Sequence, residues 1–385
     1  MKDSITVIEN GQLVLENGIL WDGVLVLAGE HIAALGKRSE VEIPTGAYRI
    51  DAHGAYVGPG FVDLHTHAID SYSTQFHAQQ AAQRYLANGT TSFLAASEYC
   101  MELPTMLEAI ACVRRAMPQA KNLRGLYMEG PYINVAYGAG AHHNPWKGGV
   151  EPADYTQLVD AAGPDAAVWV IAPEREGIVP FMEYARRVNP ATLFAVGHSH
   201  ATPHQIRALG RALRPTLHTH LMNATGRQND APGLRGTGPD EYALQEPEVY
   251  AELISDSLGV HVAPDMQRLI LHAKGLHRVI LITDSTENNF PNPPQYAHVT
   301  DLNYDDIGGL SGSRLTMPQA CRNLMTHTNC GIAQAFVAAA LNPARAMGWE
   351  DRGSLEPGKR ADLVLVSDRF EVKNVILGGQ VCPLD

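Results

Sequence analysis

The strongest constraint on the fold is an alternation that runs through the middle of the chain. Short apolar β-type runs are each followed by a stretch of helical character. Candidate strands are 55–63, 89–95, 123–129, 167–171, 192–198, 215–220, 251–255 and 278–284. Such alternation implies parallel strands joined by crossover helices, as a barrel or a doubly wound sheet. About eight units of similar length, with no Gly-x-Gly-x-x-Gly after the first strand, favour the (β/α)8 barrel of TIM type. The two ends of the chain have a different texture. Leu13-Val14-Leu15, then Asn17-Gly18, then Gly23 to Leu27 read as a hairpin of short strands. Ala361 to Val366 and Val372 to Leu377 repeat that texture at the other end. The expected architecture is an α/β metallo-barrel over residues 57–344 with a small β-sandwich domain built from 1–56 and 345–385.

A parallel barrel strand is buried on both faces and reads as apolar. Here five of the eight end in metal-ligand side chains. The first ends in His65-Thr66-His67, the third in Glu129, the fifth in His198, the sixth in His220 and the eighth in Asp284. Functional groups of such barrels sit at the C-terminal ends of the strands. Alternate strand residues point the same way, so His65 and His67 can reach one point together. Any one of these residues reads equally well as a cap or a packed side chain. Together they form a set of imidazoles and carboxylates suited to one or two divalent ions, with zinc expected first and iron, manganese or cobalt also compatible. Glu129 could bridge two ions. Such ions polarise a carbonyl and bring the pKa of a bound water to about 7.

Composition narrows the partners. With 29 Lys+Arg against 41 Asp+Glu the net charge is −12, a poor match to nucleic acid or an anionic membrane surface. The five cysteines are scattered without a Cys-x-x-Cys pair and read as reduced thiols. No signal peptide and no spanning apolar run is read, which makes the cytoplasm the expected compartment.

The motifs themselves carry a resemblance. Pro59-Gly60-Phe61-Val62-Asp63-Leu64-His65-Thr66-His67 resembles the opening metal motif of the amidohydrolase superfamily. Met128-Glu129-Gly130-Pro131-Tyr132-Ile133, Gly197-His198-Ser199-His200-Ala201-Thr202, Thr219-His220-Leu221-Met222-Asn223-Ala224 and Ile282-Thr283-Asp284 resemble, in order, those of the N-acetylglucosamine-6-phosphate deacetylase family. The endings Asn342-Pro343-Ala344-Arg345 and Gly353 to Asp362 also match. The fourth strand, Ala167 to Ala172, has no lysine that could be carboxylated to bridge metals, unlike the dihydroorotase-like branches.

The resemblance implies a metal-dependent hydrolase that removes an acetyl group from an N-acetylated amino sugar, first of all N-acetylglucosamine 6-phosphate. A different small N-acyl compound, or an unphosphorylated or galacto-configured acetamido sugar, is the alternative. By the same resemblance Glu129, His198 and His220 hold the principal ion. His65 and His67 hold a second ion in members that keep both, which makes two ions possible here, and Asp284 is a metal ligand and the general base, then acid. Substrate contacts carried over are His142 or His143, Asn223, Ala224, Arg227, His261 and Leu310, and a homodimer is expected. Two stretches depart from the family pattern. Gly140-Ala141-His142-His143-Asn144-Pro145 has one residue more than usual, and Ser285 to Phe290 replaces the small residues after Asp284. The latter is expected to remodel the adjacent loop and to leave little room for a hairpin before Gly309.

Overall fold

The computed structural model describes residues 5–138, 141–287 and 290–384. Its first strands are β1 (Ile5–Leu15), β2 (Gly18–Ala28), β3 (His31–Lys37), β4 (Tyr48–Asp51) and β5 (Tyr56–Pro59). The barrel begins at β6 (Phe61–Thr66), followed by a small hairpin of β7 (Ala68–Ile69) and β8 (Tyr72–Ser73). The barrel then continues with β9 (Thr90–Ala96), β10 (Leu123–Met128), β11 (Ala166–Ile171), β12 (Leu193–Val196), β13 (Leu217–His218), β14 (Tyr250–Ile254) and β15 (Val279–Ile282). Beyond it lie β16 (Leu302–Tyr304), β17 (Leu310–Ser313), β18 (Leu363–Val366), β19 (Val372–Leu377) and β20 (Gln380–Cys382).

The eight barrel strands pair in the order β15-β14-β13-β12-β11-β10-β9-β6, all parallel. The ring is drawn together where last meets first. Asp284 N–H donates to the His65 carbonyl at 2.9 Å, and the Thr283 hydroxyl donates to Asp63 Oδ2 at 2.5 Å. This is the (β/α)8 fold expected from the alternation.

Side chains of β11 show how the two layers are fed. Val168 and Val170 join the core inside the ring, while Trp169 and Ile171 join the layer between ring and helices. Trp169 there meets the Phe181 ring edge-on at 5.1 Å. Phe181 belongs to the helix Ile178–Val188, which buries Ile178, Phe181, Met182 and Ala185. That spacing of three and four residues places one apolar stripe against the sheet. None of the described helices is long and apolar enough to cross a membrane.

Both termini share one sheet, ordered β20-β19-β18-β5-β1-β2-β3, with β4 also on β1. The long β1 divides its free edge: Thr6–Glu9 pair with β4 and Gln12–Leu13 with β5. Ile32 from one end of the sheet and Ile376 from near the other meet in one core cluster, so the sheet curls around it. Phe336, Phe61 and Phe370 form a three-ring cluster that joins this part to the barrel, with Phe336 5.3 Å from Phe61 and 5.6 Å from Phe370 and those two 6.4 Å apart. Gly58 is required beside it, because a Cβ there would strike the Phe336 ring.

The expectation about the segment before Gly309 is corrected. β16 and β17 do form an antiparallel hairpin, with Leu302 opposite Ser313 and Tyr304 opposite Leu310. A hairpin needs only three or four residues per strand when one side chain ties its turn. Asp305 does so by accepting from Ile307 N–H at 3.1 Å and Gly309 N–H at 2.6 Å.

Trp169→Ala is expected to lower the unfolding free energy by about 3–5 kcal/mol, measured by urea titration. Because the side chain points away from the ring interior, the ligand cluster described next should keep its metal-binding capacity per folded chain.

Candidate metal centre

The strand ends bring six side chains into one buried cluster, and Glu129 is its middle. Glu129 Oε1 lies 2.8 Å from His198 Nε2 and 3.0 Å from His220 Nε2. Its other oxygen, Oε2, lies 3.1 Å from His67 Nε2 and 3.4 Å from His65 Nε2. Asp284 Oδ1 completes the second group, 3.3 Å from His67 Nε2 and 3.6 Å from His65 Nε2. One carboxylate thus offers one oxygen to each of two ligand groups, and all six residues are buried.

Local backbone geometry sets these positions. The chain leaves its strands through left-handed residues at His198 (φ 44°), His220 (φ 29°) and Asp284 (φ 48°). Non-glycine residues rarely adopt such angles, and they gather at functional sites. The outer nitrogens are also held. His198 Nδ1–H donates to the Tyr137 carbonyl at 3.1 Å and His220 Nδ1–H to the Asn223 carbonyl at 3.2 Å. With the proton on Nδ1, each Nε2 carries a lone pair. Those two Nε2 atoms lie 3.0 Å apart, facing Glu129 Oε1. Three acceptors converging without a donor fit a cation at their centre.

The electrostatics agree. Burial opposes a charge on His65, yet the carboxylates of Glu129 and Asp284 outweigh it and carry its pKa up to about 10. His67 is raised too, because Glu98, Asp284 and Glu129 outweigh the same burial. Burial would push Glu129 up, but His65 and His198 hold it well below the usual range. The cluster is therefore short of positive charge, and protons fill the deficit where no ion does. The donor set of nitrogen and oxygen suits a divalent ion.

A cavity of about 530 Å³ opens over the cluster. His142, Asn223, Ala224 and Leu310, expected as substrate contacts, line it. His143 stands at the rim, 60 % exposed, with Nε2 3.3 Å from Asp306 Oδ2. Two expected contacts stand outside the cavity lining of the single chain. His261 does not line the cavity; its Nδ1 is 3.0 Å from Asp256 Oδ2 and its Nε2 3.0 Å from the Gly312 carbonyl, which occupies both ring nitrogens. Arg227 does not line it either, because its Nε donates to Glu241 Oε1 at 2.8 Å and its Nη2 lies 3.9 Å from Asp240.

Glu98 and Tyr99 on the cavity wall, and Glu252 behind His65, were not anticipated. Glu252 did leave a signal, as a lone carboxylate inside the apolar run 250–254. Thr286 of the unusual stretch after Asp284 also reaches the wall, whereas Asn288 and Asn289, like Gly140 of the histidine loop, lie outside the described residues.

The amidohydrolase family model matches residues 56–382. The chain belongs to the amidohydrolase family. Among curated relatives it is 30 % identical to the N-acetylgalactosamine-6-phosphate deacetylase of Escherichia coli O157:H7, over 97 % of this chain and 98 % of that one. It is 28 % identical to the N-acetylglucosamine-6-phosphate deacetylase of Bacillus subtilis strain 168, over 97 % and 96 %. A solved mutant N-acetyl-D-glucosamine-6-phosphate deacetylase of Mycobacterium smegmatis, in complex with N-acetyl-D-glucosamine-6-phosphate, superposes with a TM-score of 0.82 at 25 % identity, covering 99 % of this chain and 100 % of the other. The resemblance carried by the motifs is borne out, and the protein is a hydrolytic deacetylase of this family.

Ion binding must displace the protons that the carboxylates hold on His65 and His67. The carboxylates carry His65 up to about 10 and raise His67 as well, so both imidazoles hold protons more tightly than a free imidazole in the ion-free protein. Apparent affinity for zinc is therefore expected to rise steeply as pH increases from 6 to 8. Calorimetry in buffers of different ionisation enthalpy should register proton release. An affinity independent of pH would contradict this charge balance.

Proposed function

We propose that the protein removes the acetyl group from an N-acetylated amino sugar, with N-acetylglucosamine 6-phosphate as its first candidate substrate, giving the amine and acetate. The observation that carries this reading is Glu129, one oxygen toward His198 and His220 and the other toward His65 and His67, beside Asp284 on the floor of an open cavity. The names of relatives that align over nearly their whole length support the substrate class.

In this reading His65, His67, Glu129, His198, His220 and Asp284 hold one or two divalent ions, zinc first. A divalent ion there supplies Lewis acidity, polarising the amide carbonyl and making water nucleophilic at neutral pH. The protein's own groups do the rest. Asp284 is exposed to the cavity through its carboxylate, takes the proton of the attacking water and returns it to the departing nitrogen. Burial of the cluster keeps bulk water from competing for these charges. Asn223, Ala224 and Leu310 frame the sugar, and His142 approaches from the rim.

A second reading, an unphosphorylated acetamido sugar, is favoured by one observation. The described lining includes Glu98 and Asp305 but no lysine or arginine, which leaves a phosphate facing like charge.

Acetate release should be followed from N-acetylglucosamine 6-phosphate, N-acetylgalactosamine 6-phosphate and the two unphosphorylated sugars. Turnover of a phosphosugar at least tenfold above its unphosphorylated form is the expected result; the reverse order selects the second reading. No acetate from any of the four overturns the substrate class. Asp284→Asn is expected to lower kcat by roughly 10²–10⁴-fold while near-normal metal content is kept. Retained turnover would remove Asp284 from the proton-transfer role.

A further inference from the structure

Two carboxylates outside the cluster stand behind the His65 and His67 rings. His65 Nδ1 lies 3.5 Å from Glu252 Oε2, with both side chains fully out of solvent. His67 Nδ1 lies 3.5 Å from Glu98 Oε1. Neither Nδ1 has a closer hydrogen-bond partner among the described residues. Glu252 is itself fixed: Tyr127 O–H lies 3.0 Å from both its oxygens and Thr219 O–H donates to Oε2 at 3.2 Å. The Tyr127 ring also stacks on His65 with centroids 4.3 Å apart. A carboxylate inside a barrel strand is costly to bury unless it is paired or hydrogen-bonded.

The two histidine pairs therefore differ behind the rings. His198 and His220 lean on neutral backbone carbonyls, whereas His65 and His67 each face a carboxylate of their own. A carboxylate behind an imidazole fixes its tautomer and orientation and makes its far nitrogen a stronger donor to a metal. The His198 and His220 rings themselves are held by the Tyr137 and Asn223 carbonyls and not by Glu98 or Glu252, although Glu252 does bond the Thr219 hydroxyl next to His220.

We propose that Glu252 and Glu98 are positioning residues that orient His65 and His67 within the ligand group they form with Glu129 and Asp284, which would hold a second divalent ion. The chain is then a two-ion protein whose second ion is held by a support absent from the first. This rests on the reading of the cluster as a metal centre.

The test uses the full chain, stripped of metal and titrated with zinc against a chromogenic chelator, with ions per chain counted by plasma mass spectrometry. Wild type should hold two ions. Glu252→Gln and Glu98→Gln should each keep the first at unchanged affinity and bind the second about 10–100-fold more weakly. A merely structural role would weaken both ions together or neither. With cobalt in place of zinc, the visible absorption of the second ion alone should change. Glu98 sits on the cavity wall, so Glu98→Gln decides the matter if Glu252→Gln does not fold. Unchanged second-ion affinity in a folded variant overturns that residue's part, and a wild type that takes one ion at saturating zinc overturns the proposal. Two ions of the expected affinities with no acetate from any acetamido sugar would instead overturn the substrate reading and leave this inference standing.

Discussion

A single buried carboxylate sets the terms for the active end of this molecule. Glu129 stands at the end of the third barrel strand, with an imidazole nitrogen within 3.4 Å of each oxygen on either side. Its charge could not be left alone in that place, since an unpaired buried carboxylate neutralises or destabilises the fold around it. Four histidines from three other strands answer it, and Asp284 adds a second negative charge. The barrel makes this possible because the ligands arrive at the ends of five of its strands, His65 and His67 together on the first. No loop has to travel to complete the set.

The parts of this arrangement that could be read from residues alone share one property. Each sits at the end of a strand in an otherwise apolar run, so local pattern and function point to the same position. The eight barrel strands were visible for the same reason, by alternation of strand and helix. His261 and Arg227 stand outside the cavity lining of the single chain, held by neighbours that pattern does not specify. Asp256, five residues before His261, captures one ring nitrogen, and Gly312, 51 residues later, the other. Arg227 is captured by Glu241 from the next helix. Electrostatic pairing of this kind is settled by three-dimensional proximity.

Glu98, Glu252 and Asp305 illustrate the opposite failure. Each is a carboxylate in plain view in the chain; Glu252 stands out only as a lone acid in an apolar run, and nothing about the spacing of Glu98 or Asp305 separates them from ordinary surface acids. Glu252 gains its partners only when strand β14 turns its side chain inward to Tyr127, Thr219 and His65. The hairpin of β16 and β17 was discounted on length, and Asp305 makes it feasible by tying the turn. What pattern cannot supply in these cases is direction, the face toward which a given side chain is pointed.

The closure of the ring has a further consequence for how the protein comes into being. His65 and Asp284 stand 219 positions apart in the chain, yet Asp284 N–H bonds the His65 carbonyl, and the His67 and Ala68 N–H groups both bond the Ser285 carbonyl at 2.8 Å. The ligands are thus part of the seam. A chain emerging from the ribosome has all of Glu129, His198 and His220 once residue 220 is free, while the group around Asp284 must wait for the last barrel strand. Synthesis itself therefore orders the two halves of the centre, and the half made last is the one that locks the barrel shut.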